Sequence, residues 1–208
     1  FLEEPNPDVY AFLTTENEAM VLPTILSRVQ NLPLKLIPRL TVIENSASLG
    51  VSLEDAELLS LKYNLAESIL KMKDNQDYLN VKETLLLVLN DLGYSLNDGI
   101  LASIKQANSR INNRDDAKFY LQMMLAFFQD IVNYNLHGDL LLPSLDKITS
   151  RISQVIKKPL LAIRVVIEAI TRIESNVNLN LLLDHVMINL QKEPNNEWWK
   201  SYSWYSEF

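Results

Sequence analysis

From Val81 onward, apolar residues recur every three or four positions. Val81 to Leu92 carries Leu85, Leu86, Val88, Leu89 and Leu92, and Gly99 to Arg110 carries Ile100, Ile104 and Ala107. Asp115 to Leu136 carries Leu121, Met124, Leu125, Phe128, Ile131 and Val132. This spacing sets side chains on one face of an α-helix, so the pattern predicts three successive amphipathic helices. Gly93 falls where a helix commonly ends in a left-handed residue, and Gly138 lies just past the third stripe. Pro143 and Pro159 each fit a first helical turn, where the missing N–H costs nothing, and predict helices over 143–156 and 159–175. The second shows Leu160, Ile163, Ile167 and Ile170, and a last helix is expected from Asn180 to Gln191. Each buried Leu or Ile contributes about 1.5–3 kcal/mol, so facing stripes of this kind close a bundle.

Upstream, the helical signals are shorter. Ser52-Leu53-Glu54-Asp55 reads as a capping box, with Ser52 as N-cap and Asp55 reaching back, followed by Leu58, Leu59 and Leu61. With a helix before Gly50 and another from Leu65 to Met72, this predicts a small three-helix unit. The polar run Asp74-Asn75-Gln76-Asp77 marks a boundary before the bundle.

The first forty residues follow a different pattern. Val9 to Thr14 is a β-branched and aromatic run between Pro5-Asn6-Pro7-Asp8 and Glu16-Asn17, which predicts a buried strand. Asn17 is placed to cap a short helix from Glu18 to Leu26, which Pro23 should kink or split. Val29 to Leu34 reads as a second strand, limited to an edge or an end by Pro33. Two strands bury too little to stand alone, so this region is expected to belong to a larger α/β domain. The chain opens on Phe1 rather than Met, which supports the expectation that it is part of a longer protein.

Composition narrows the chemistry. The 208 residues include no Cys, which excludes disulfides, thiolate metal sites and a cysteine nucleophile. A net charge of -7 disfavours a mainly electrostatic nucleic-acid binder. Only 4 glycines in a leucine-rich chain leave little material for tight hairpins, and the whole leans helical. No apolar run approaches the roughly 18 residues of a membrane span, there is no signal-peptide pattern, and a cytoplasmic location is expected by default.

Few residues carry a chemical signal. His137 and His185 lack metal-ligand spacing, and Asp115-Asp116 and Glu3-Glu4 are adjacent pairs that point apart on a helix. Lys157-Lys158 reads as solvated, and Met123-Met124 with Phe127-Phe128 as core. The tail holds all three tryptophans, Trp198, Trp199 and Trp204, and is expected to dock on its own domain or on a partner rather than stay in water. No GxxxxGK[ST] phosphate loop is present, so the chain by itself should not bind ATP in the usual way. The informative stretch is Thr14-Thr15-Glu16-Asn17 followed by Thr24-Ile25-Leu26-Ser27-Arg28. Polar side chains at a strand end are placed to sense a ligand in an α/β crevice. An arginine at a helix end can present its fixed charge to phosphate on a neighbouring subunit.

These residues carry a resemblance. Leu2-Glu3-Glu4-Pro5, Thr14-Thr15 with Asn17, and Thr24-Ile25-Leu26-Ser27-Arg28 resemble the corresponding segments of bacterial clamp-loader AAA+ subunits of the DNA polymerase III holoenzyme. Val29 stands where that family often has Cys. Ala169, Ile170, Ile173 and Asn176 to Asn180 resemble the end of the helical collar of the delta-prime subunits, and Gly50 to Met72 resembles the helical lid. The resemblance implies a mainly α fold: residues 1–36 as the remnant of a AAA+ α/β core, 37–76 as the three-helix lid, 77–191 as the collar bundle, and 192–208 as an aromatic tail.

It also implies a role. Arg28 would be a trans-acting arginine finger with Ser27 fixing its loop, and Thr14, Thr15 and Asn17 would form the sensor 1 region. ATP would lie at the interface with a neighbouring subunit, and no cofactor or metal is expected within the chain. Implied partners are the gamma/tau and delta subunits, the sliding clamp, and primer-template DNA through the assembled complex. Two other readings stay open: an ATP-hydrolysing gamma/tau-type subunit with its phosphate loop upstream, and an unrelated helical adaptor.

Overall fold

A computed structural model of the chain describes residues 10–15, 17–175 and 177–190. Backbone contacts divide it into two compact units, Phe1–Leu36 and Ile37–Phe208. The fold is mainly α-helical.

In the first unit, Asn17 accepts the Ala19 N–H through Oδ1 and caps a 3-10 turn, Glu18–Met20. Pro23 occupies the first turn of a short helix, α1 (Pro23–Leu26). The expected helix over 18–26 is thus split at the proline. The two expected strands are not formed: Tyr10 to Thr14 and Val29 to Leu34 carry no regular structure, while Val9 lies outside the described residues. A strand needs a ladder partner for its N–H and C=O groups, and among the described residues neither segment has one. Their apolar side chains face solvent as a result, with Phe12 and Leu34 each 92% exposed.

The second unit begins with three short helices that pack on one another: α2 (Arg39–Ser48), α3 (Leu53–Leu59) and α4 (Ala66–Met72). Gly50, at φ +83, closes α2, and its N–H donates to the Ala47 carbonyl while that of Val51 reaches Ser46. Ser52 Oγ accepts the Asp55 N–H, as the capping box requires. Asp55 does not reach back to the Ser52 backbone; its carboxylate accepts the Ser52 hydroxyl at 2.5 Å and the Tyr78 hydroxyl at 2.5 Å.

Six further α-helices follow among the described residues. They are α5 (Gln76–Leu92), α6 (Leu96–Arg110), α7 (Arg114–Asn135), α8 (Asp146–Val155), α9 (Pro159–Arg172) and α10 (Leu179–Asn189). Asn75, Ser95, Asn113 and Asn178 cap four of them with side-chain oxygens. The Asp74–Asp77 break is therefore largely a capped helix start, and the compact unit runs across it. Helices α5, α6, α10, α9 and α7 pack in that cyclic order, and α8 lies against α5 and α7. The core is centred on α7, where Leu121, Met123, Met124, Phe127, Phe128 and Ile131 are fully buried.

Two helix ends depart from the pattern. Gly93 has an ordinary right-handed φ of -68. A β-carbon there would lie 2.5 Å from Arg151 Nε, the far end of a flexible side chain that would have to shift to admit it. At the end of α7 the left-handed residue is His137, at φ +56, not Gly138. The His137 N–H reaches Tyr134 and the Gly138 N–H reaches Asn133, the bond pair of a Schellman closure. A β-carbon in that conformation costs about 1–2 kcal/mol. We expect His137→Gly to raise stability by roughly 0.5–1 kcal/mol once the extra backbone entropy of glycine is subtracted. The check is the midpoint of urea unfolding, which should shift upward at unchanged slope.

Candidate functional site

The candidate residues lie in two short turns of the first unit. Thr15 Oγ1 accepts the Asn17 N–H at 3.1 Å and donates to the Asn17 carbonyl at 3.1 Å, closing a tight polar turn ahead of the 3-10 segment. Thr14 is exposed beside it. The structure therefore brings Thr15 and Asn17 together, with the Asn17 amide oxygen spent on capping.

Ser27 and Arg28 leave the last turn of α1. Ser27 Oγ donates to the Thr24 carbonyl at 3.1 Å, and Arg28 Nη1 donates to the same oxygen at 3.4 Å. That carbonyl is one of the unpaired acceptors at a helix C-terminus, where a cation also meets the negative end of the helix dipole. Both side chains are exposed. Asn31 Nδ2 donates to Glu18 Oε1 at 2.7 Å, so the chain after α1 is tied back to the start of the 3-10 turn.

The sequence reading missed a polar cluster in the second unit. Asp130 on α7 is fully buried, and its two oxygens accept the N–H groups of Leu141 at 2.6 Å and Leu142 at 2.7 Å. Arg39 at the start of α2 donates to the Leu141 and Glu57 carbonyls, each at 2.8 Å. Glu57 Oε2 accepts the Ser144 N–H at 3.0 Å. Burial raises the Asp130 carboxyl above its ordinary value, against the pull of the two backbone N–H groups and Arg39. Burial likewise lowers the Arg39 guanidinium, opposed by Glu57 and Asp130. The signal available in sequence was an Asp inside the apolar stripe of α7.

A second cluster joins α3 to α5. Tyr78 Oη donates to Asp55 at 2.5 Å and Lys82 Nζ to the same oxygen at 2.7 Å, while Lys82 also pairs with Glu54 at 2.6 Å. Burial opposes the Asp55 charge, yet hydrogen bonds from Lys82, Ser52 and Tyr78 leave its carboxyl below the usual range.

The family model described as DNA polymerase III, delta subunit, matches residues 1–38. The DNA polymerase III subunit delta' of Bacillus subtilis (strain 168) is 26% identical over 200 residues, a span that covers 92% of this chain and 60% of that protein. The chain thus spans about three fifths of the length of the curated relative it matches. No solved structure matches it. The similarity to delta-prime subunits of DNA polymerase III thus runs over most of this chain. The expected Leu2–Pro5 match and the aromatic tail lie outside the described residues. Among the described residues, no helix is long and apolar enough to cross a membrane.

Proposed function

We propose that this chain is the C-terminal portion of a delta-prime subunit of the DNA polymerase III clamp loader. It takes part in loading the sliding clamp onto primed DNA without hydrolysing ATP itself. In this reading Arg28 offers its guanidinium to ATP bound on an adjacent gamma/tau subunit, and Ser27 holds the turn. Thr14, Thr15 and Asn17 correspond to the sensor 1 region. The helices from α5 onward hold the subunit in a ring with gamma/tau and delta, and the subunit meets primer-template DNA through the assembled complex.

The observation that carries the reading is the similarity to the Bacillus subtilis delta' subunit across nearly the whole chain. The exposed apolar side chains at Tyr10, Phe12 and Leu34 add support, because they have the character of strand residues awaiting an α/β sheet. Reconstitution tests it. The full-length protein, mixed with gamma/tau and delta subunits, should co-elute with them and be needed for ATP-dependent placement of the ring clamp on primed DNA. Failure to enter that complex, or loading that proceeds equally well without it, removes the reading.

A further inference from the structure

We propose that the groove between the end of α3 and the starts of α5 and α7 is a docking site for a partner-protein segment. The segment would present an arginine or lysine flanked by apolar residues. The cavity has a volume of about 530 Å³, and Tyr63, Tyr78 and Phe119 form aromatic parts of its wall. Asp77, Asp115 and Asp116 line it as well. The chain's own Lys62 shows which chemistry the wall accepts. Its ammonium lies 5.4 Å from the Phe119 ring centre and 5.8 Å from that of Tyr63, within cation–π range.

Charge complementarity selects the occupant. Three carboxylates border the groove, and of its two cations Arg114 is turned away to the Ile173 and Ser175 carbonyls. Lys62 is left to face the acids. Burial, with the nearby Asp77 and Asp115 charges, holds the Asp116 carboxyl above its ordinary value, against a hydrogen bond from Asn113 Nδ2 at 2.7 Å and the Lys62 charge. A second cation entering over the aromatic wall would relieve that repulsion, and an apolar neighbour would cover the half-buried Met72 on the same wall. An acidic or phosphorylated segment would meet the opposite field.

The test uses the isotope-labelled chain and two probe peptides, acetyl-Leu-Arg-Leu-amide and acetyl-Leu-Glu-Leu-amide, followed by amide chemical shifts. The arginine peptide should give saturable shifts at Lys62, Asp77 and Asn113 to Phe119, and the glutamate peptide should not. Asp77→Asn, an exposed position, should weaken the arginine peptide several-fold with the fold unchanged, and Lys62→Met should strengthen it by removing the internal competitor. The proposal is overturned by absence of saturable shifts, by equal shifts with both peptides, by shifts centred elsewhere, or by insensitivity to Asp77→Asn.

Discussion

Replacing Arg28 by alanine in the full-length protein is expected to slow ATP hydrolysis at the adjacent subunit's site by on the order of 10³-fold. The reasoning is electrostatic. Phosphoryl transfer spreads negative charge over the equatorial oxygens, and a guanidinium held in place beforehand stabilises that charge without reorganisation. Arg28 meets the starting requirement of exposure, and it leaves a helix end whose Thr24 carbonyl is bonded by both Ser27 and Arg28. Arg28→Lys should restore little, because a lysine is a point charge without the planar fork that grips two oxygens. Ser27→Ala, which removes only the 3.1 Å bond to Thr24, should have the smaller effect. Assembly of the complex should survive all three changes, since the side chains are exposed. Single-turnover hydrolysis with clamp and primed DNA makes the measurement. An unchanged rate for the alanine variant would remove Arg28 from the chemistry while leaving the subunit assignment intact.

The helices were legible in the sequence where a cap residue or a first-turn proline meets an apolar stripe of the right period. Asn17, Ser52 and Pro159 mark starts that the structure places at or next to those residues. Other starts were read late. Helix α5 begins at Gln76 rather than Val81, because Asn75 caps a first turn whose polar side chains hid its period. The strands could not be realised by local pattern alone. Strand formation depends on a neighbour in space, and the runs at Tyr10 and Val29 have none among the described residues. The turn at Ser27 and Arg28 was found through a motif, whereas the Asp130 cluster had none to offer. Its partners come from residues 39, 57, 141, 142 and 144, and no spacing rule joins positions so far apart.

That cluster carries the second large expectation. Asp130→Ala should cost about 3–5 kcal/mol of stability, within the range for two hydrogen-bonded donors left without an acceptor at about 1–3 kcal/mol each. Two backbone donors, those of Leu141 and the fully buried Leu142, would lose their acceptors, and Arg39 would lose a neighbouring negative charge. Unmade bonds of this kind cost more than made ones contribute, because the desolvation of the remaining partner is not recovered. For a unit of this size the melting midpoint should fall by roughly 6–20 °C, at about 2–4 °C per kcal/mol. Asp130→Asn keeps one acceptor and should fall less.

The pH dependence fixes the sign of the electrostatic part. Because burial raises the folded-state carboxyl above its unfolded value, the folded protein binds this proton more tightly. The contribution of Asp130 is therefore fully present below the unfolded value of 3.8 and declines as pH rises through the raised one. The deficit of Asp130→Asn relative to the parent should be largest in acid and shrink toward neutrality. Urea unfolding at a series of pH values measures it. A deficit that instead grows with pH would mean that the two N–H bonds and Arg39 outweigh burial, and that Asp130 favours its charged form in the fold. Asp55 supplies the internal contrast: its carboxyl is held low, so its contribution is present above 3.8 and is lost as pH falls through its folded value.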